Sequence, residues 1–128
     1  MTEERYVIDA SALLAMLGRE PGADVVAMAL SVSIVSTVNW AEVLQKAHAH
    51  GVDVVGLEDD LGSLGVEFAP FGTGEAAIAA DLWLRLGQSL ALADRACLAT
   101  AAARGLKALT ADREWTTLEL GVPVQMIR

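Results

Sequence analysis

Four acids in this chain fall just before or within the first turns of a helix, and acids so placed can hold a metal ion. Asp9 ends the apolar run Tyr6-Val7-Ile8, and Asp112 comes two residues after a run ending in Thr110. Glu42 lies in the first turns of a helical stretch that follows a second strand-like segment, and Asp94 interrupts the apolar stretch Leu90-Ala91-Leu92-Ala93. Each also has a plainer use. Asp9 and Asp112 can cap helices by accepting from exposed N–H groups. Glu42 can pair with Lys46 one turn on, and Asp94 can complement a helix dipole. Gathered in one cleft, however, four carboxylates repel one another unless a cation holds them. Mg2+ or Mn2+ suits that place, because hard ions prefer oxygen donors and retain several waters. One such ion, or two about 3.5–4 Å apart, eases ionisation of a bound water and neutralises charge on phosphate oxygens. Phosphodiester hydrolysis then needs no serine or histidine nucleophile.

The elements that must position these acids can be read from periodicity. Residues 5–9 form a β-prone run, and residues 10–18 read as a helix closed by Gly18. A second helix is expected over residues 23–30, an alternating strand over 32–36, and a helix over 37–50 that Gly51 stops. A further helix through Leu57 and Leu61 leads into a short strand at 66–69. Residues 73–86 and 90–104 read as neighbouring helices, the second closed by Gly105. A strand at 106–110, a short helix at 112–118 and a last strand at 122–127 complete the chain. Strands alternating with helices predict the α/β class, a three-layer α/β/α sandwich around a mostly parallel sheet of about five strands, with the first strand central. Chemistry in such sheets gathers beyond the carboxyl ends of the strands. No repeat or long linker divides the chain, so one domain is expected over residues 1–128.

Of the 128 residues, 54% are hydrophobic and 20% charged, a balance that favours a compact fold over a disordered tail. Seventeen acids against nine bases give a net charge of −8, which argues against sequence-independent clinging to nucleic acid. The charge is uneven. Residues 1–84 hold 13 acids and 3 bases, whereas residues 85–128 hold 4 acids and 6 bases. A patch facing nucleic acid is expected to draw on Arg85, Arg95, Arg104, Lys107 and Arg113, although each taken singly reads equally well as a solvated helix end. The lone Cys97 has no partner for an internal disulfide and suits a reducing cytosol. Its plainer reading is a small buried hydrophobe. The start, Met1-Thr2-Glu3-Glu4-Arg5, lacks the features of a signal peptide. The longest uncharged stretch, residues 25–41, contains five Ser, Thr and Asn residues and falls short of the roughly 20 apolar residues of a spanning helix. A cytoplasmic protein without a membrane segment is expected.

Four motifs together resemble the PIN-domain ribonucleases, in particular the VapC-type toxins of bacterial toxin–antitoxin pairs. They are Val7-Ile8-Asp9-Ala10-Ser11, Ser36-Thr37-Val38-Asn39-Trp40-Ala41-Glu42-Val43, Leu90-Ala91-Leu92-Ala93-Asp94-Arg95-Ala96-Cys97-Leu98-Ala99 and Leu109-Thr110-Ala111-Asp112-Arg113. The motifs stand in the family's order from residue 7 to residue 113. The resemblance implies magnesium- or manganese-dependent cleavage of single-stranded RNA, a homodimer, and inhibition by a small cognate antitoxin. It makes Asp9, Glu42, Asp94 and Asp112 the metal-binding and catalytic acids, with Ser11, Asn39 and Thr110 orienting them from behind. Asn39 departs from the commonest pattern at its position, although an amide can still hydrogen-bond a carboxylate. Arg95 and Arg113 each adjoin a proposed ligand and are candidates to touch an RNA phosphate.

Other residues carry weaker signals. His48 and His50 point in different directions on a helix and fit a dipole contact better than a shared metal. Trp40, Trp83 and Trp115 are candidates for base stacking, but aromatics on helices are more often core; Tyr6 and Phe68 read as packed strand residues. A hydrophobic fraction of 54% in so short a chain exceeds what one core should absorb, which supports a dimer with its apolar excess on residues 23–30 and 52–64. A magnesium-dependent phosphatase would carry a second acid two residues after a nucleophilic aspartate, and here Ser11 occupies that place. A catalytically inactive module that uses the same site to bind RNA or a protein partner stays open on the residues alone.

Overall fold

Two-residue alternation in short, apolar strands decides the layers. Both Val7 and Ile8 of the first strand, β1 (Tyr6–Ile8), are fully buried, yet they belong to different cores. Ile8, with Val35 and Leu109, packs among Leu13, Val26, Trp40, Val43 and Leu61. Val7, with Ile34 and Ala108, packs among Leu82, Leu90, Cys97, Leu98 and Trp115. Successive strand side chains point to opposite faces, so strands apolar at every position demand helices on both sides.

This computed structural model describes residues 4–128, and the start read at Met1-Thr2-Glu3 lies outside them. Among those residues β1 is followed by α1 (Ala10–Leu17), α2 (Ala23–Ala29), β2 (Ser33–Ser36), α3 (Thr37–Ala49), α4 (Leu57–Ser63) and β3 (Glu67–Ala69). Then come α5 (Thr73–Leu86), α6 (Leu92–Arg104), β4 (Lys107–Thr110) and β5 (Val124–Met126). Helices α1 to α4 cover one face of the sheet and α5 with α6 the other, giving the expected three-layer α/β/α sandwich. All strand pairs are parallel, in the order β3-β2-β1-β4-β5. β1 is therefore central, as its position in the sequence predicts. No helix among the described residues is long and apolar enough to cross a membrane.

Two departures from the periodicity have a visible cause. The segment expected as a helix at 112–118 is a single 3-10 turn, Arg113–Thr117. There the Thr116 and Thr117 hydroxyls bond the carbonyls of Arg113 and Glu114 at 2.7 and 2.8 Å. Such local side-chain bonds compete with a continuing helix. α6 begins at Leu92 rather than Leu90, because Leu90 is extended and buried in the core under α5 and α6.

Candidate active site

The chain runs outward from β1 through β2 to β3 and then returns to lay β4 on the other side of β1. A parallel sheet opens a crevice where its strand order reverses, beyond the carboxyl ends of the two strands that flank the reversal. Here those strands are β1 and β4, and the residues at their ends are Asp9, Thr110 and Asp112. The backbone N–H of Asp9 donates to the Leu109 carbonyl at 3.1 Å, so the ladder still holds the acid as the strand ends. Asp9 then turns to cap α1, accepting from the Ala12 N–H at 2.9 Å.

Asp9 is 3% exposed and its carboxylate is bound on every side. Ser11 Oγ lies 2.8 and 2.9 Å from its two oxygens, and Thr110 Oγ1 donates to Oδ2 at 2.5 Å. These hydroxyls also tie β1 to β4. Ser11 Oγ accepts from the Ala111 N–H, and Thr110 Oγ1 from the Asp112 N–H, each at 3.0 Å. Burial pushes the Asp9 carboxyl up to about 6; hydrogen bonds from Thr110, Ala12 and Ser11 pull against that rise, and the charge of Asp94 adds to it. Cys97 lies fully buried nearby, its thiol pushed well up by burial and by the charges of Asp9 and Asp94. A thiol held protonated in this way is a packing group.

Asp94 is where the other charges meet. It stands in the first turn of α6, half-buried, and accepts from the Ala91 N–H at 3.3 Å. Burial raises its carboxyl above the ordinary aspartate range, the charges of Asp112 and Glu42 raise it further, and Lys46 opposes them. Asp112 caps the 3-10 turn by accepting from the Glu114 N–H at 3.0 Å. Glu42 lies 3.6 Å from Lys46 Nζ. The cap readings therefore hold for Asp9 and Asp112, Asp94 also accepts a bond at its helix start, and all three still share one electrostatic neighbourhood with Glu42. Capping takes part of each carboxylate's hydrogen-bonding capacity and leaves the charge in place. No group of three or more carboxylate, histidine or cysteine side chains is arranged to enclose an ion among the described residues. Each acid is instead drawn to its own donor. The donor set is wholly oxygen and mutually repulsive, and only Lys46 offsets the charge at Asp94. That chemistry fits a hard divalent cation.

Not every residue singled out in the sequence lies where expected. Asn39 is 1% exposed and bonds no carboxylate; its Nδ2 donates to the Ala93 carbonyl at 2.9 Å. Arg95 turns away from the acids, with NH1 donating to Ala79 O at 3.1 Å and Nε to Leu90 O at 3.4 Å. Arg113 is exposed beside Asp112. The expected basic patch does not assemble. α6 carries Asp94 in its first turn and Arg104 in its last, so the helix itself separates them. Arg104 pairs with Glu67 at 2.7 Å and Lys107 with Glu4 at 2.9 Å, at the amino ends of the strands, while Arg85 reaches Leu120 O at 3.5 Å. Trp40 and Trp115 are buried, Trp40 with its ring 4.9 Å from that of Phe68, and only Trp83 is half exposed. Sequence reasoning missed two backbone partners, the Ala91 amide and the Ala93 carbonyl. A backbone group leaves no residue-type signal, so nothing in the sequence marks them.

Among solved structures the chain is similar to one described as DNA-bound VapBC from Salmonella typhimurium, at 16% identity and a TM-score of 0.74, covering 98% of this chain and 100% of that one. A toxin–antitoxin complex from Klebsiella pneumoniae matches at 17% identity and a TM-score of 0.71, over 96% of this chain and 98% of that one. FitAcB from Neisseria gonorrhoeae matches at 24% identity and a TM-score of 0.64, over 93% and 95%. These likenesses concern the fold. A search among curated proteins finds no match. Residues 6–119 match the PIN domain family, a span that holds both strands flanking the crevice and all four acids, and the chain belongs to that family.

Proposed function

We propose that this chain is a Mg2+- or Mn2+-dependent endoribonuclease that hydrolyses phosphodiester bonds of single-stranded RNA, the toxin of a toxin–antitoxin pair. The observation that carries this reading is the set of four acids, coupled through Asp94, at the reversal point of a PIN-family sheet. Asp9, Glu42, Asp94 and Asp112 are the residues that would hold the cation. When bound, one or two such ions supply an acidified water and neutralise charge on the phosphate. Ser11 and Thr110 keep the Asp9 carboxylate in one orientation, and the exposed Arg113 is the candidate to touch an RNA phosphate. Support for a toxin comes from the neighbouring structures described as VapBC and as a toxin–antitoxin complex. A net charge of −8 suits a basic antitoxin partner. The test is to incubate purified protein with a mixed RNA pool and Mn2+, and to map the cut ends. Cleavage with Mn2+ and none in chelator is the expected result. RNA left intact at excess protein but retained on the protein would instead establish the inactive binding module.

We also propose a homodimer. Met28 is 86% exposed, Val55 89% and Leu84 74%, large apolar side chains that a second copy would cover. Met28 and Val55 lie in the two segments where the sequence places its apolar excess; Leu84 adds a third on α5. Light scattering at micromolar concentration should give twice the chain mass, and a monomer throughout would remove the proposal.

A further inference from the structure

We propose that Asn39 is a positioning residue that sets the spacing between Glu42 and Asp94 by holding the start of α6 against α3. The inference rests on the nuclease reading above. Glu42 and Asp94 come from helices in separate crossovers, and their charges are felt by one another. Asn39 lies on α3 three residues before Glu42, and hence on nearly the same face. Its amide nitrogen donates to the carbonyl of Ala93, the residue immediately before Asp94, at 2.9 Å. Among the described residues no other side-chain hydrogen bond joins α3 to α6. Arg95 anchors the same turn from the other side through Ala79 of α5, so the backbone that carries Asp94 is held between two helices.

The other end of the amide is left without a partner. Asn39 Oδ1 is buried with no hydrogen bond, and turning the amide over would set that oxygen against the Ala93 carbonyl. A buried acceptor without a partner destabilises a fold, and an apolar side chain would avoid the penalty. Packing alone therefore does not account for an amide here. Its use is to supply one donor to one carbonyl, at the point where two metal-binding acids must be brought to a fixed separation. Groups that orient ligands in this way alter metal affinity by about 10–100-fold when removed.

The test compares the parent with Asn39→Leu and Asn39→Ser. Mn2+ binding is measured by titration calorimetry without RNA, melting temperature in chelator, and kcat and KM on single-stranded RNA. Asn39→Leu, in which relief of the unpaired acceptor offsets the added bulk, should melt near the parental temperature, bind Mn2+ at least about 10-fold more weakly and lose kcat with little change in KM. Serine is too short to reach Ala93, so Asn39→Ser should show the same loss of Mn2+ affinity even if the leucine variant does not fold. Variants that bind Mn2+ and turn over as the parent does would overturn the proposal alone. A parent that neither takes up Mn2+ nor cleaves RNA would overturn the nuclease reading and this inference with it.

Discussion

Asp94→Asn is expected to abolish RNA cleavage while leaving the metal-free protein at least as stable as the parent. Asparagine keeps the shape of the side chain and opens no cavity. Its carbonyl oxygen can still accept from the Ala91 N–H, so the cap at the start of α6 survives. What it loses is the negative charge at the point where Asp112, Glu42 and Asp9 converge. Because altering a group behind a ligand already costs 10–100-fold, loss of a charged ligand should cost at least about 100-fold in kcat/KM, about 2.7 kcal/mol of transition-state stabilisation. In chelator the change relieves repulsion among the acids. That gain offsets the loss of a favourable helix-dipole interaction of about 0.3–1 kcal/mol. Cleavage of a single-stranded RNA with Mn2+, and melting temperature with and without the ion, should be measured side by side. If Asp94 served only to complement the helix dipole, activity would persist and the melting temperature would drop by a few degrees. Parental cleavage with an unchanged melting shift on adding Mn2+ would remove Asp94 from the site.

The metal-free protein should also grow more stable as pH falls from 7 to about 5, the reverse of ordinary acid denaturation. Asp9 has a folded-state carboxyl raised to about 6 from an ordinary value of 3.8, so the fold binds a proton more tightly than the unfolded chain does. Stability falls with rising pH wherever the folded state holds more protons. The penalty is complete above about pH 6, is relieved progressively below it, and is gone below the unfolded value. Its full size is about 3 kcal/mol at 1.36 kcal/mol per pH unit. Glu67 does not mask the effect. Arg104 and Arg5 hold it below the ordinary glutamate range, and its contribution is lost only below about 4.5. Asp9→Asn should flatten the profile and stabilise the neutral, metal-free protein. The new amide can donate to Thr110, whose hydroxyl can turn towards Ser11 Oγ 3.3 Å away. Saturating Mn2+ should invert the slope, because cation binding requires the ionised carboxylate. Denaturant unfolding in chelator from pH 7 to 5 decides the matter, and a parent that loses stability steadily over that window would show that Asp9 ionises without penalty.

The α/β alternation and the placing of acids just past strand ends were legible because they depend on local pattern. A strand apolar at every position, such as β1 or β2, must be covered on both faces wherever it ends up. An aspartate before a helix is a cap in any fold, and Asp9 and Asp112 are caps here. The charge of each residue was equally plain, but its neighbours were not. Arg95 and Arg113 look alike beside their aspartates in the sequence. One is spent on the carbonyls of Ala79 and Leu90 across a helix pair, and the other stays in solvent.

The sequence by itself determined which residues carry negative charge, which segments are helix or strand, and therefore that Asp9 and Asp112 fall at the same end of a parallel sheet. Only the tertiary structure decided that β4 returns to lie beside β1, that Ser11 and Thr110 close on one carboxylate from opposite sides of that join, and that Asn39 reaches the backbone of Ala93 54 residues away. The reason is physical. Charge, capping and periodicity act over a few residues along the chain. Desolvation and hydrogen bonding between distant segments exist only once packing has excluded water from between them. The raised carboxyl of Asp9 belongs to that second class, because it arises first from burial.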